Sequence, residues 1–149
     1  MAKSKKKSVK KKKPIKRTSK LKSSVPKKLD NFVVWFEIPV VDINRAMKFY
    51  SHVFGVKLEA GEMGDSKGAM FPFSPGAASG ALIQSKENKP SPMGTMIYLS
   101  GGKDLSNPLK LVVPAGGKII QEKLSIGDYG FMAIFEDTEG NHVALHSQS

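Results

Sequence analysis

The same order of signals occurs twice in this chain, 62 residues apart, and no other feature limits the fold as strongly. Asp42 answers to Asp104, Gly55 to Gly117, and "ALIQS" at 81–85 to "VALHS" at 143–147. The first copy opens on "FVVWFEIP", 32–39, an apolar run that reads as a strand. In "INRAMKFYSHVFG", Ile43, Ala46, Met47, Phe49, Tyr50 and Phe54 recur at helical spacing, with Asp42 placed to cap the start and Gly55 to stop the end. "VKLEA", "GAMFPF" and "SGALIQS" follow as strands between Gly, Pro and Ser. The second copy runs "TMIYLS", a helix "LSNPLKLVVPAGG" behind Asp104, then "KIIQEKL", "YGFMAIFED" and "NHVALHS". Pro108 must lie in the first turn or two of that helix. "DTEGN", 137–141, reads as a hairpin turn. The expectation is an α+β fold of two tandem βαβββ modules. Each sheet needs cover on one face, and two sheets facing one another would enclose a central cleft. Pattern alone leaves a pair of ferredoxin-like units open.

The repeat starts only after residue 30, and charge explains why. Residues 1–28 hold 14 of the 24 Lys and Arg and no acid, leaving 10 basic residues against all 13 acidic ones, a net of −3. The reading is a basic Lys-rich arm over 1–28 and a mildly acidic domain over 29–149. Lacking apolar periodicity, the arm is expected to be disordered. Residues 3–28 could contact polyanions or nucleic acid by counterion release. No aromatic residue interleaves its lysines, so base stacking is not expected. There is no cysteine, which rules out disulfides, thiolate zinc sites and a cysteine nucleophile. No apolar run is long enough to span a membrane, and the charged start lacks the apolar stretch of a secretory signal. A cytoplasmic location is the expectation.

Together "FEIPVVDINRAMKFYSHVFGVKLE", "SGALIQSKENKPSPMGTMIYLSGGKDL", "AGGKII" and "YGFMAIFEDTEGNHVALHS" resemble the vicinal oxygen chelate superfamily. That group holds glyoxalase I, bleomycin-resistance proteins and extradiol dioxygenases, and the likeness is to its lactoylglutathione-lyase-related branch, over 31–147. The resemblance implies paired curved sheets, or half-barrels, around a cleft. It also implies metal ligands on the first and last strand of each module. Carried onto this chain, those positions fall on Trp35, Leu82, Thr95 or Met96, and Ala144. None is a good ligand, so the usual metal quartet and any cofactor are expected to be absent.

With Trp35 placed in the cleft by the resemblance, strand alternation places Glu37 there too. Ala144 and His146 face the cleft on the last strand, Gln84 is read as the counterpart of His146, and Tyr98 or Leu99 as that of Glu37. Glu37 and His146 are the candidate catalytic pair for acid–base work, with Trp35, Gln84 and Tyr98 contacting substrate. The same pair could instead satisfy one another structurally, or ligate a shifted metal with Gln84. Trp35, Met70, Phe71, Phe73 and Met132 are candidates for an apolar lining or for ordinary core. His142 is expected at a solvent-facing rim and His52 on an exposed helix face. Three functions follow: a lyase or isomerase acting on a small molecule, a non-catalytic binder of bleomycin-resistance type, and polyanion association through the arm. A homodimer is also open.

Overall fold

The computed structural model describes residues 31–149, so the expectations for the arm lie outside the described residues. The first module runs β1 (Trp35–Pro39), α1 (Ile43–Phe54), β2 (Glu59–Met63), β3 (Ser66–Met70) and β4 (Ser79–Gln84). The second runs β5 (Tyr98–Ser100), α2 (Ser106–Val112), β6 (Lys118–Ser125), β7 (Phe131–Glu136) and β8 (His142–Ser147). Two four-stranded mixed sheets result, ordered β1-β4-β3-β2 and β5-β8-β7-β6. They match the expected pair of βαβββ modules and form no closed barrel.

Local chemistry sets the element ends. Asp42 accepts from the backbone N–H groups of Asn44 and Arg45, and Gly55 takes the left-handed conformation, φ 63°, that ends α1. The second helix is shorter than the sequence suggests. It starts at Ser106, whose N–H donates to Asp104, and Pro108 sits in its first turn, where a missing N–H costs no helical bond. β1 starts at Trp35 rather than Phe32, and Phe32, Val33 and Val34 before it are exposed.

Both helices cover one face of their own sheet and touch each other, so the two modules share one core. On the covered faces lie Ile38, Ala69 and Leu82 in the first sheet and Ala133, Phe135, Val143 and Leu145 in the second, all buried. Phe49 of α1 meets Phe135 of β7 at 5.8 Å between ring centroids. Alternation then puts Trp35 and Glu37, and Ala144 and His146, on the opposite faces.

A polar clamp joins the modules at the β7–β8 turn. Fully buried Tyr50 donates to Asp137 at 2.8 Å, and Asn141 gives its amide to both Asp137 and the Pro39 carbonyl at 2.9 Å. Burial, then the nearby Asp137 carboxylate, raise the Tyr50 hydroxyl well above its ordinary range. Glu139 accepts from the N–H groups of Val41 and Asp42, each at 2.9 Å, and takes a forked pair from Arg45 at 2.7 and 2.9 Å. Burial alone would push the Glu139 carboxyl up. The Arg45 hydrogen bond and the two backbone amides outweigh it, and the carboxyl sits below its ordinary value.

A folded-state value below the unfolded one stabilises the protein above the unfolded pKa, about 4.3 for Glu. That stability is lost as pH falls through the lower folded value. Glu139→Gln is therefore expected to cost roughly 1–3 kcal/mol at neutral pH. In urea melts the gap to the unsubstituted chain should close as pH drops below about 4. A gap that stays constant down to pH 2 would show that the charge of Glu139 contributes nothing.

Candidate functional site

A cavity of about 1020 Å³ lies between the edge strands β1 and β5. Its walls explain its chemistry. Phe36, Phe54, Val56 and Phe71 form an apolar floor from the first module, with Phe36 and Phe71 5.7 Å apart between centroids. Ile97, Leu99 and Val143 supply the opposing apolar wall. Polar groups are few and sit around this lining: Glu37, Ser79, Lys89, Ser91, Thr95, Ser100, Asn141 and His142. A concave, largely apolar lining with polar groups among it is the usual form of a small-molecule site.

Trp35 is the chain's single tryptophan. It lines the cavity while 40% exposed, so an aromatic surface is available to a ligand. Its indole N–H donates to Glu37 at 3.3 Å. This is what the glutamate in the apolar strand faces: the indole of its neighbour, the large cavity, and a second cavity of about 240 Å³ that it borders with Pro39, Ile83, Glu87, Asn88 and Lys89. Because it is exposed, Glu37 keeps water and avoids the cost of a buried, unpaired charge.

Of the residues singled out from sequence, Trp35, Glu37 and Tyr98 line this one cavity. His146 is not among its lining residues; its Nε2 lies 2.7 Å from the Tyr129 carbonyl, in the short 3₁₀ turn Gly127–Tyr129. Gln84 is also elsewhere, and the reason is one of register. Its side-chain carbonyl accepts from the Ile43 N–H at 3.1 Å, at the start of α1. In the second module, the Leu105 N–H donates to Ser147 at 3.0 Å in the same way. Gln84 therefore corresponds to Ser147, not to His146, and lies on the helix-covered face with Leu82.

The positions to which the resemblance assigns metal ligands can be read the same way. The register that matches Gln84 to Ser147 moves the position expected at Leu82 to Ala81. Ala81 and Ala144 are fully buried and carry no donor atom, while Trp35, Thr95 and Met96 line the cavity. Among the described residues, no three His, Asp or Glu side chains converge in a way that could hold an ion. Of the expected apolar lining, Trp35 and Phe71 are present, whereas Phe73 is 64% exposed and does not contribute.

Sequence reasoning missed two residues. His142, expected at a solvent-facing rim, is half-buried in the cavity wall, 3.4 Å from Glu136 across the β7–β8 pair. Asn141 ties the wall together: besides its bonds to Pro39 and Asp137, it accepts from the Ser91 N–H at 3.1 Å. The signal was the "GN" at the end of the hairpin turn, which reads only as turn chemistry until the partners are in place.

The comparisons with known proteins agree with this fold. The family description "Glyoxalase/Bleomycin resistance protein/Dioxygenase superfamily" matches residues 32–145. A glyoxylase-like domain-containing protein from Didymella fabae is 33% identical over 113 residues, 73% of this chain and 88% of its own. Among solved structures, glyoxalase I of Leishmania major superposes with a TM-score of 0.61 at 19% identity, over 79% of this chain and 87% of that one. A glyoxalase I variant from Zea mays gives 0.61 at 22% identity, over 78% of this chain and 45% of that one.

Proposed function

This chain belongs to the Glyoxalase/Bleomycin resistance protein/Dioxygenase superfamily, and from that premise we propose that it is a binding protein for a small, largely apolar molecule held between β1 and β5. The observation that carries this reading is the aromatic and aliphatic cavity of about 1020 Å³ with the exposed Trp35–Glu37 pair at its wall. In this reading Trp35 and Tyr98 stack on the ligand, and Glu37 accepts a hydrogen bond from it. We assign no step to a metal, because Ala81 and Ala144, the register-matched positions on the two last strands, offer no donor where the family's ligands would stand. A second reading, proton transfer on the bound molecule, is favoured by the presence of Glu37 and His142 in the lining of the same cavity.

Thr95 gives a direct test. It lines the cavity and is exposed, so the larger side chain of Thr95→Phe should obstruct part of the cavity with little loss of stability. Calorimetric titration with a panel of planar apolar molecules should find a binder whose affinity falls roughly 10-fold or more in the variant. Equal affinity in both proteins would place the binding elsewhere.

The arm carries a separate proposal, polyanion association, supported by its charge alone. Deleting residues 1–28 is expected to leave the melting temperature within a few degrees, since they hold no core-forming pattern. The salt-dependent affinity for heparin or duplex DNA should drop steeply. A large fall in melting temperature would show that the arm packs on the domain.

A further inference from the structure

The strands that flank the cavity are both sheet edges, and hydrogen-bond parity shows where their backbone groups point. Along β1, the Val34 carbonyl accepts from Ser79 N–H and the Val40 N–H donates to the Ile83 carbonyl. The even-numbered residues thus turn their backbone groups toward β4, as the parallel pattern requires. Trp35 and Glu37 turn theirs to the outer side. Along β5, Ala144 N–H donates to Ile97 and Gly101 N–H to His146, so the odd-numbered residues face β8. Tyr98 and Ser100 turn theirs outward. All four residues line the same cavity. Among the described residues, no hydrogen bond is made by these outward-facing N–H and C=O groups.

An unpaired strand edge is a template for another peptide backbone. Alternating donors and acceptors recur every two residues, about 6.6 Å along a strand, a spacing that an extended peptide reproduces. The apolar floor between the edges suits its side chains. Pro39 limits the length: it has no N–H, and Asn141 already takes its carbonyl. We infer that the cavity takes a short extended peptide segment with apolar side chains, paired through its backbone to the Trp35–Glu37 edge of β1 and the Tyr98–Ser100 edge of β5. This rests on the reading of the cavity as a ligand site and narrows the ligand to a class.

The test uses the full chain, anilinonaphthalene sulfonate as a cavity dye, and two acetylated, amidated tetrapeptides of valine and threonine. One has normal amides and the other is N-methylated at every amide. The normal peptide should displace the dye and slow hydrogen exchange at the amides of Trp35, Glu37, Tyr98 and Ser100. The methylated twin should bind at least about 10-fold more weakly. Equal binding of the twins, or binding that leaves those four amides unprotected, overturns the inference. So does concentration-dependent protection of the amides in the free chain, which would mean that a second copy occupies the edges. If the dye binds and neither peptide displaces it, the peptide class is wrong and the cavity reading stands. If neither dye nor peptide binds, both fall.

Discussion

Replacing Asp137 with alanine is expected to lower the unfolding free energy by roughly 3–5 kcal/mol, the cost of stranding several buried donors. Asp137 is 4% exposed and is the common acceptor for the Tyr50 hydroxyl, the backbone N–H groups of Glu139 and Asn141, and the Asn141 amide. Alanine offers none of these a partner, and Tyr50 is too deeply buried to find water. Tyr50→Phe removes one donor and keeps the ring, so it should cost only about 1 kcal/mol. Urea denaturation of both variants checks the order. Equal costs would mean that Asp137 is not the centre of the network. The effect should also reach the cavity, because Asn141 holds the end of β1 through Pro39 and the connecting segment through Ser91. Asp137→Ala protein that remains folded is expected to bind ligand more weakly.

Trp35→Ala should produce the largest loss of ligand affinity of any single truncation in the cavity wall, roughly 10- to 100-fold. The indole offers the ligand a broad aromatic face and orients Glu37 through its N–H. Stability should change far less, because Trp35 stands on an edge strand and is already 40% exposed. Trp35→Phe keeps a smaller aromatic surface and loses the N–H, so much of the affinity should return. Calorimetry reads both variants. If alanine and phenylalanine are equivalent, the aromatic face is not what the ligand uses.

Much of this architecture was legible in the residues. The periodicity of Ile43 to Phe54 and its flanking Asp42 and Gly55 give α1 with its caps, because helix signals are local. The repeat gives two modules, and the alternation of β1 gives Trp35 and Glu37 a common face. The last strands were harder. The 62-residue offset holds from Asp42 to Asp104 but becomes 63 at β4 and β8, where Gln84 and Ser147 receive equivalent backbone donors. A single-residue slip moves every side chain of a strand to the other face. That is why Gln84 reads as a cleft residue yet sits under the helix. The bond from His146 to Tyr129 was invisible for another reason. It joins residues 17 apart through a 3₁₀ turn that has no periodic signature. The cavity itself depends on the packing of two sheet edges, which no local pattern encodes.

The single tryptophan makes the central claim directly measurable. Anilinonaphthalene sulfonate bound between β1 and β5 would lie against Trp35 and accept its excitation energy. Titrating the full chain while reading Trp35 emission should show saturable quenching at one dye per chain, with Thr95→Phe shifting its midpoint to roughly 10-fold higher dye or more. Dye binding that leaves Trp35 emission unquenched, or a quenching midpoint unchanged in Thr95→Phe, would contradict a ligand site in this cavity.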